Sequence, residues 1–391
     1  MASHSVRRPV AVITGWQTTA SLCFYSVFAG TSLLRDAFSL SGSLIGLVVT
    51  TLMVGYTISL FPVGALIDAF GERRTMIVGL LGLGVTAGGI GLAPSYAALL
   101  VVVFCLGVLY ATAIPSTNRA IVNAVTEGRR NLAMGIKQVG VTAGSAISAV
   151  VVTTVGGLVG WPGGFFAVAG VAIVVAVGFA ASYEGSGGTD DPEIPRPWQL
   201  EAPPEYTLLV VAGFFFGAAM FTTTGYVVVF GTDTLAASAA VAGFLLAVVQ
   251  VAGSGGRIVS GYVLDRLPRS EAWSAPRLLG LHGLVAGGGL ASLTVVETVS
   301  TSVLVLAVIG YALLGFMGIY YSYLTVIVPA DQMGTATAGA QTAVNAGAIV
   351  APPIFGYLVD TASFAVAWLS LAGCCLAATV VFLVLARRGN P

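Results

Sequence analysis

Three basic side chains stand inside long apolar stretches of this sequence: Arg119, Lys137 and Arg257. A cation at membrane depth costs about 3 kcal/mol or more unless a polar cavity or an anion receives it. All 16 acidic residues fall in connecting segments or at the ends of the apolar runs, from Asp36 and Asp68 to Asp331 and Asp360. Interior cations without interior carboxylates make a positive field that favours an anionic guest. The guanidinium of Arg257 is suited to bidentate contact with a carboxylate. The competing reading is that these side chains snorkel to the interface, or that Arg119 and Lys137 brace the turn between their helices.

Neutral polar groups that could line such a cavity occur in the same stretches. Gln17 and Tyr25 lie in the first apolar run and Asn118 stands beside Arg119. Tyr226, Gln250, Tyr320, Gln341 and Asn345 follow in the second half. Trp16, Tyr110, Thr222, Thr223, Thr224, Tyr311, Tyr321 and Tyr323 are further wall candidates, and each also reads as packing or interfacial belt. His282 reads as structural. Cys23, Cys105, Cys374 and Cys375 lie in apolar runs and read as small core residues. No metal-ligand spacing, phosphate loop or nucleophile elbow occurs, so the expectation is no enzyme, no cofactor and no ATP hydrolysis by this chain.

The elements that must hold these groups follow from composition. Of 391 residues, 57% are hydrophobic and 8% charged, against roughly a quarter charged in soluble proteins. With a mean hydropathy of +0.96, the expected solvent is lipid, and an all-α integral membrane fold follows. A span needs about 20 helical residues. Charge-poor runs predict twelve: 10–34, 44–67, 75–93, 96–122, 132–155, 165–183, 206–230, 236–264, 278–296, 299–328, 334–359 and 363–386. The basic start, MASHSVRRPVAVITGW, precedes an apolar run too long for a signal peptide, so it reads as a retained first span. The formal net charge of zero suggests no nucleic-acid partner.

Arginine placement orients the spans. With the N-terminus cytoplasmic, that side holds Arg7, Arg8, Arg73, Arg74, Arg129, Arg130, Arg196, Arg266, Arg269, Arg277, Arg387 and Arg388, and the other side holds only Arg35. Both termini are therefore expected inside, in a multi-pass protein of the cell membrane. Residues 184–205, rich in Gly, Pro and acids, read as a cytoplasmic linker between six-helix bundles at 1–183 and 206–391.

The two bundles carry related segments. Gly64-Ala-Leu-Ile-Asp68 ends the second expected span, and Gly261-Tyr-Val-Leu-Asp265 ends the eighth. The first continues through Gly71 to Arg73 and Arg74, the second only to Arg266. The first copy resembles the signature G-x-L-x-D-x-x-G-x-[RK]-[RK] of the major facilitator superfamily. The resemblance implies two pseudo-symmetric bundles working by alternating access, with Gly64, Asp68, Gly71, Arg73, Arg74, Gly261, Asp265 and Arg266 as a conformational latch. Gly64 is expected to permit close helix packing, and Gly71 to make a tight turn. Gly256-Arg257 through Asp265-Arg266 is also similar to the eighth helix of the oxalate/formate and monocarboxylate branch, where an arginine binds the substrate carboxylate. That branch often has an aspartate where Gly253 stands and a lysine where this chain offers Gln341, Thr342 and Asn345.

The reading that follows is a monomeric secondary transporter of a small anionic solute, with H+ or Na+ as coupling ion. The alternatives are a proton-coupled multidrug exporter of the same fold and a non-transporting membrane receptor. The orientation is testable at once. With the native cysteines replaced, Ser186→Cys should resist an impermeant thiol reagent in intact cells and react after permeabilisation. Labelling in intact cells would overturn the span count.

Overall fold

With no water to bond exposed amides, a chain in hydrocarbon must close its backbone hydrogen bonds within each segment. The computed structural model describes residues 2–126, 130–185, 203–267, 271–329 and 332–388, and their regular structure is entirely helical. Most of the expected linker, with Arg196, and also Arg129 and Arg269, lie outside the described residues.

The helices are α1 (Ala2–Ala29), α2 (Thr31–Phe38), α3 (Gly42–Phe70), α4 (Glu72–Gly91), α5 (Tyr96–Tyr110), α6 (Ala113–Ala124) and α7 (Arg130–Val159). They continue as α8 (Trp161–Ser182), α9 (Pro204–Asp233), α10 (Ala239–Arg266), α11 (Glu271–Ser292), α12 (Val299–Ile327), α13 (Met333–Thr361) and α14 (Phe364–Arg388). Eleven segments among the described residues are long and apolar enough to cross a membrane, α5 and α6 counting as one. The other long helix is α1, whose apolarity is lowered by Gln17, Thr18, Thr19 and Ser21.

Two expected spans are each broken into two helices, for local reasons. Between α1 and α2 the hydrogen bonding runs on, from Gly30 N to Ser26 O (2.9 Å) and Leu34 N to Gly30 O (2.8 Å). The break is a kink at Gly30, where a Cβ would meet the Phe165 ring at 2.6 Å. Between α5 and α6, Pro115 cannot donate to the Ala111 carbonyl four residues back. The chain tightens there, with Thr112 N bonded to Leu109 O at 3.2 Å.

The chain divides into two units, residues 1–39 with 51–194, and 40–50 with 195–391. Each has the same pattern of helix pairs, and each pair closes on glycine. In the first unit a Cβ on Gly144 of α7 would stand 2.2 Å from Thr18 O of α1, and one on Gly107 of α5 would stand 2.2 Å from Leu52 O of α3. In the second, Gly347 of α13 meets Phe214 O of α9 (2.0 Å), and Gly310 of α12 meets Val249 O of α10 (2.3 Å). The first and fifth spans of each half therefore touch backbone to backbone, as do the second and fourth.

A cut at the linker alone does not reproduce this division, because residues 40–50 belong with the second unit. Within that unit Asp360 accepts from Gly42 N (2.7 Å), Ser43 N (2.9 Å) and Ser43 Oγ (2.8 Å). A carboxylate there satisfies orphan N–H groups and the positive end of the α3 dipole. Tyr226 donates toward Gly42 O (2.7 Å) and Pro352 O (2.9 Å), and Thr50 to Ile349 O (2.6 Å).

Glycine packing makes a paired prediction. Gly144→Ala must push α1 from α7 and should destabilise the protein by roughly 1–3 kcal/mol or more. Gly157→Ala, on the same helix with no described residue within 4 Å of its Cβ position, should be neutral or slightly stabilising. Thermal unfolding of the two purified variants in detergent compares them directly.

Candidate functional site

Within the first unit, a one-residue turn at Gly71 (φ 78°) joins α3 to α4. That left-handed backbone favours glycine, as the motif implies. Glu72 opens α4 and is fully buried, at the helix end whose dipole suits a carboxylate. Arg119 of α6 reaches it, with Nε 3.6 Å from Glu72 Oε2, and donates through Nη1 to Ile67 O (3.3 Å). Tyr183, just past α8, hydrogen-bonds the same carboxylate; burial first, then the Glu72 charge and that bond, hold its phenol above the ordinary range.

These contacts correct two expectations. Arg119 is an ion-paired brace of the α3–α4 turn, and it has an interior carboxylate beside it. Read as sequence, Glu72 is a loop acid next to two arginines; only its place as the first helical residue signals a buried role.

Arg73 donates from Nε to Tyr183 O (2.6 Å) and from Nη2 to Ala180 O (2.7 Å), so it caps the C-terminus of α8. Arg74 is exposed. Among the described residues, a Cβ at Gly64 or Gly261 would meet nothing within 4 Å. The Asp68 side chain lies outside the described residues. Asp265 and Arg266 are exposed, and the Arg266 guanidinium lies 3.4 Å from the Tyr262 ring centroid.

Deeper in the first unit, Thr117 donates to Gln17 Oε1 (2.9 Å), Gln17 Nε2 to Ser21 Oγ (3.2 Å), and Ser21 shares a hydrogen bond with Tyr110 (3.1 Å). The Tyr110 ring stacks on Phe24 at 4.0 Å, and Phe24 packs edge-on against Tyr25. Trp16 donates to Met76 O (3.1 Å) and is a packing residue. Lys137 of α7 is 1% exposed and donates to Asn118 Oδ1 of α6 at 2.6 Å. The neighbours Asn118 and Arg119 therefore point to different tasks, one to the interior lysine and one to the α3–α4 turn.

In the second unit Arg257 stands nine residues before the end of α10, about 14 Å along the axis. Its Nε donates to Leu314 O of α12 (2.9 Å). Gly256 allows that approach, because a Cβ there would stand 2.3 Å from Tyr311 O. A relay links α12 to α13: Tyr321 donates to Gln341 Oε1, and Gln341 Nε2 to Asn345 Oδ1 (2.8 Å). Asn345 Nδ2, Gln250 Nε2 and the Tyr320 hydroxyl are buried without a partner among the described residues. Such groups call for water or a ligand. The Tyr226 hydroxyl is engaged by the Gly42 and Pro352 carbonyls. His282 is structural: Ala312 O can only accept (2.8 Å), so Nδ1 carries the hydrogen and Nε2 accepts from Ser260 (2.8 Å).

Comparison with known proteins agrees with this architecture. The uncharacterised MFS-type transporter YceJ of Bacillus subtilis is 28% identical over half of this chain, and the match spans only about half of its own length. The hexuronate transporter of Bacillus subtilis is 22% identical over 92% of this chain and 90% of its own. A bacterial homologue of the human lysosomal transporter Spinster, in an inward-facing and occupied conformation, superposes with a TM-score of 0.77 at 17% identity, covering 97% of this chain and 95% of that one. At that identity the likeness speaks for the fold. The family model of the Major Facilitator Superfamily matches residues 13–345, which is most of the chain. The chain belongs to the major facilitator superfamily.

Proposed function

We propose that this protein is a secondary active transporter of a small organic anion, such as a monocarboxylate, working by alternating access. The observation that carries the reading is Lys137, a buried amine whose Nζ donates to the neutral side chain of Asn118. A charge in such a place is stabilised by an incoming anion. Arg257, in mid-helix, supplies a second cationic group. The unpartnered donors on Asn345, Gln250 and Tyr320 suit the oxygens of a carboxylate. The full-length similarity to a hexuronate transporter points to the same chemical class. Gln17 and Asn118 in the first unit and Gln341 in the second are further neutral groups proposed to contact substrate.

The same reading places the protein in the cell membrane as a monomer with both termini cytoplasmic. Bundles at 1–183 and 206–391 are then joined by the 184–205 linker, and Asp68, Gly71, Arg73 and Arg74 form the latch.

Counterflow in proteoliposomes tests the substrate class. Radiolabelled lactate and glucuronate should exchange, whereas glucose and tetraphenylphosphonium should not. If only the cation exchanges, the reading is overturned in favour of a drug exporter. Arg257→Lys should weaken acid binding and Arg257→Ala should weaken it by roughly a hundredfold. Thermal stability should change little, because a half-buried cation leaves together with its contact to Leu314 O. Parent-like binding by purified Arg257→Ala would remove that residue from the site.

A further inference from the structure

Lys137 has surroundings that no other part of the proposed site explains. Its helix, α7, packs against α1, α6 and α8. None of these four helices contains an aspartate or a glutamate. Their charged or titratable side chains are Arg8, Cys23 and Tyr25 on α1, Arg119 on α6 and Arg130 on α7; α8 has none. The side chains of His4 and Arg7, also on α1, lie outside the described residues. Arg119 is paired with Glu72 and Ile67 O, Arg130 caps Val122 O and Val125 O at 3.1 Å, and Arg8 is exposed.

Gly140 and Gly144 follow Lys137 on one face of α7 and lie against Thr14, Thr18 and Ser21 of α1, which closes that side with small groups. The hydroxyls of Thr14 and Ser116 on α1 and α6 are buried without a partner among the described residues. Asn118, at 2.6 Å, takes one of the three ammonium hydrogens. A buried ammonium with only neutral company among the described residues carries a desolvation penalty. Two events relieve it: an anion arrives, or the proton leaves. Lysine permits both, whereas arginine permits only the first.

We propose that Lys137 couples anion transport to proton transport, its amine holding a proton only while a carboxylate-bearing substrate is bound beside it. This rests on the anion reading above and names its coupling ion. On loading, Nζ takes one proton from water and the ammonium–carboxylate pair is neutral. On release the carboxylate leaves as the anion and Nζ returns its proton to water on the same side. One anion and one proton cross per cycle, and no bond other than N–H is made or broken. Asn118 Oδ1 is the positioning partner that keeps the amine oriented.

The test uses the full chain in proteoliposomes, with lactate and glucuronate as probes and an internal pH dye. In the parent, a gradient alkaline inside should drive acid accumulation, and acid entry should acidify the lumen. Lys137→Arg keeps the charge but cannot release the proton. Its gradient-driven accumulation should fall at least about tenfold further than its acid counterflow does, whatever the substitution costs in binding. Lys137→Gln, which also cannot titrate, should show weak exchange with no lumenal acidification; it carries the test if the arginine variant does not fold. Gradient-driven accumulation by either variant at the parent level overturns the proposal. So does a parent that exchanges acids without moving protons, in which case the anion reading stands. A parent that exchanges neither acid removes both.

Discussion

Lipid offers no hydrogen bonds, so every polar group that enters the membrane must bring its partner with it. Four arginines of this chain are placed by that constraint. Arg73 closes the carbonyl end of α8, Arg119 holds Ile67 O at the end of α3, Arg130 holds Val122 O and Val125 O around the α6 terminus, and Arg257 holds Leu314 O inside α12. Each guanidinium thereby meets carbonyls that the helix itself leaves under-satisfied, or that neighbouring helices expose. Asp360 does the complementary work at the amide end of α3. Charge here is structural before it is functional.

The same scarcity of driving force explains the glycines. Apolar side chains gain little by leaving lipid for one another, so helices associate through close backbone contact. Glycine against carbonyl recurs between the first and fifth spans and between the second and fourth, in both units. That recurrence is the physical form of the internal repeat, and it gives the interior cations a fixed frame. Arg257 reaches Leu314 because Gly256 and Tyr311 let α10 and α12 touch.

Lys137 departs from the arginine pattern. It meets a side-chain amide instead of backbone, and the helices around it bring no opposite charge. A guanidinium can fan across several carbonyls, while an ammonium is a compact charge whose proton is exchangeable. The choice of lysine at this single position is therefore chemically informative, and it ties the anion reading to the proton.

Sequence by itself determined the class of solvent, the helical fold and the repeat, because these rest on composition and on periods that need no neighbour. It also marked Gly71, whose turn is local. For the motif glycines Gly64 and Gly261 no described residue lies within 4 Å of the Cβ position, since which face of a helix finds a partner is a property of the assembled bundle. Tertiary structure decided the fate of each charge. Glu72 reads as a loop acid until α6 brings Arg119 to it, and Asn118 and Arg119, adjacent in sequence, turn to different partners because successive residues point about 100° apart on a helix. Residues 40–50 likewise join the second unit through Asp360 and Tyr226, far along the chain. Burial and pairing are relations between distant segments, and a linear pattern carries only one side of each.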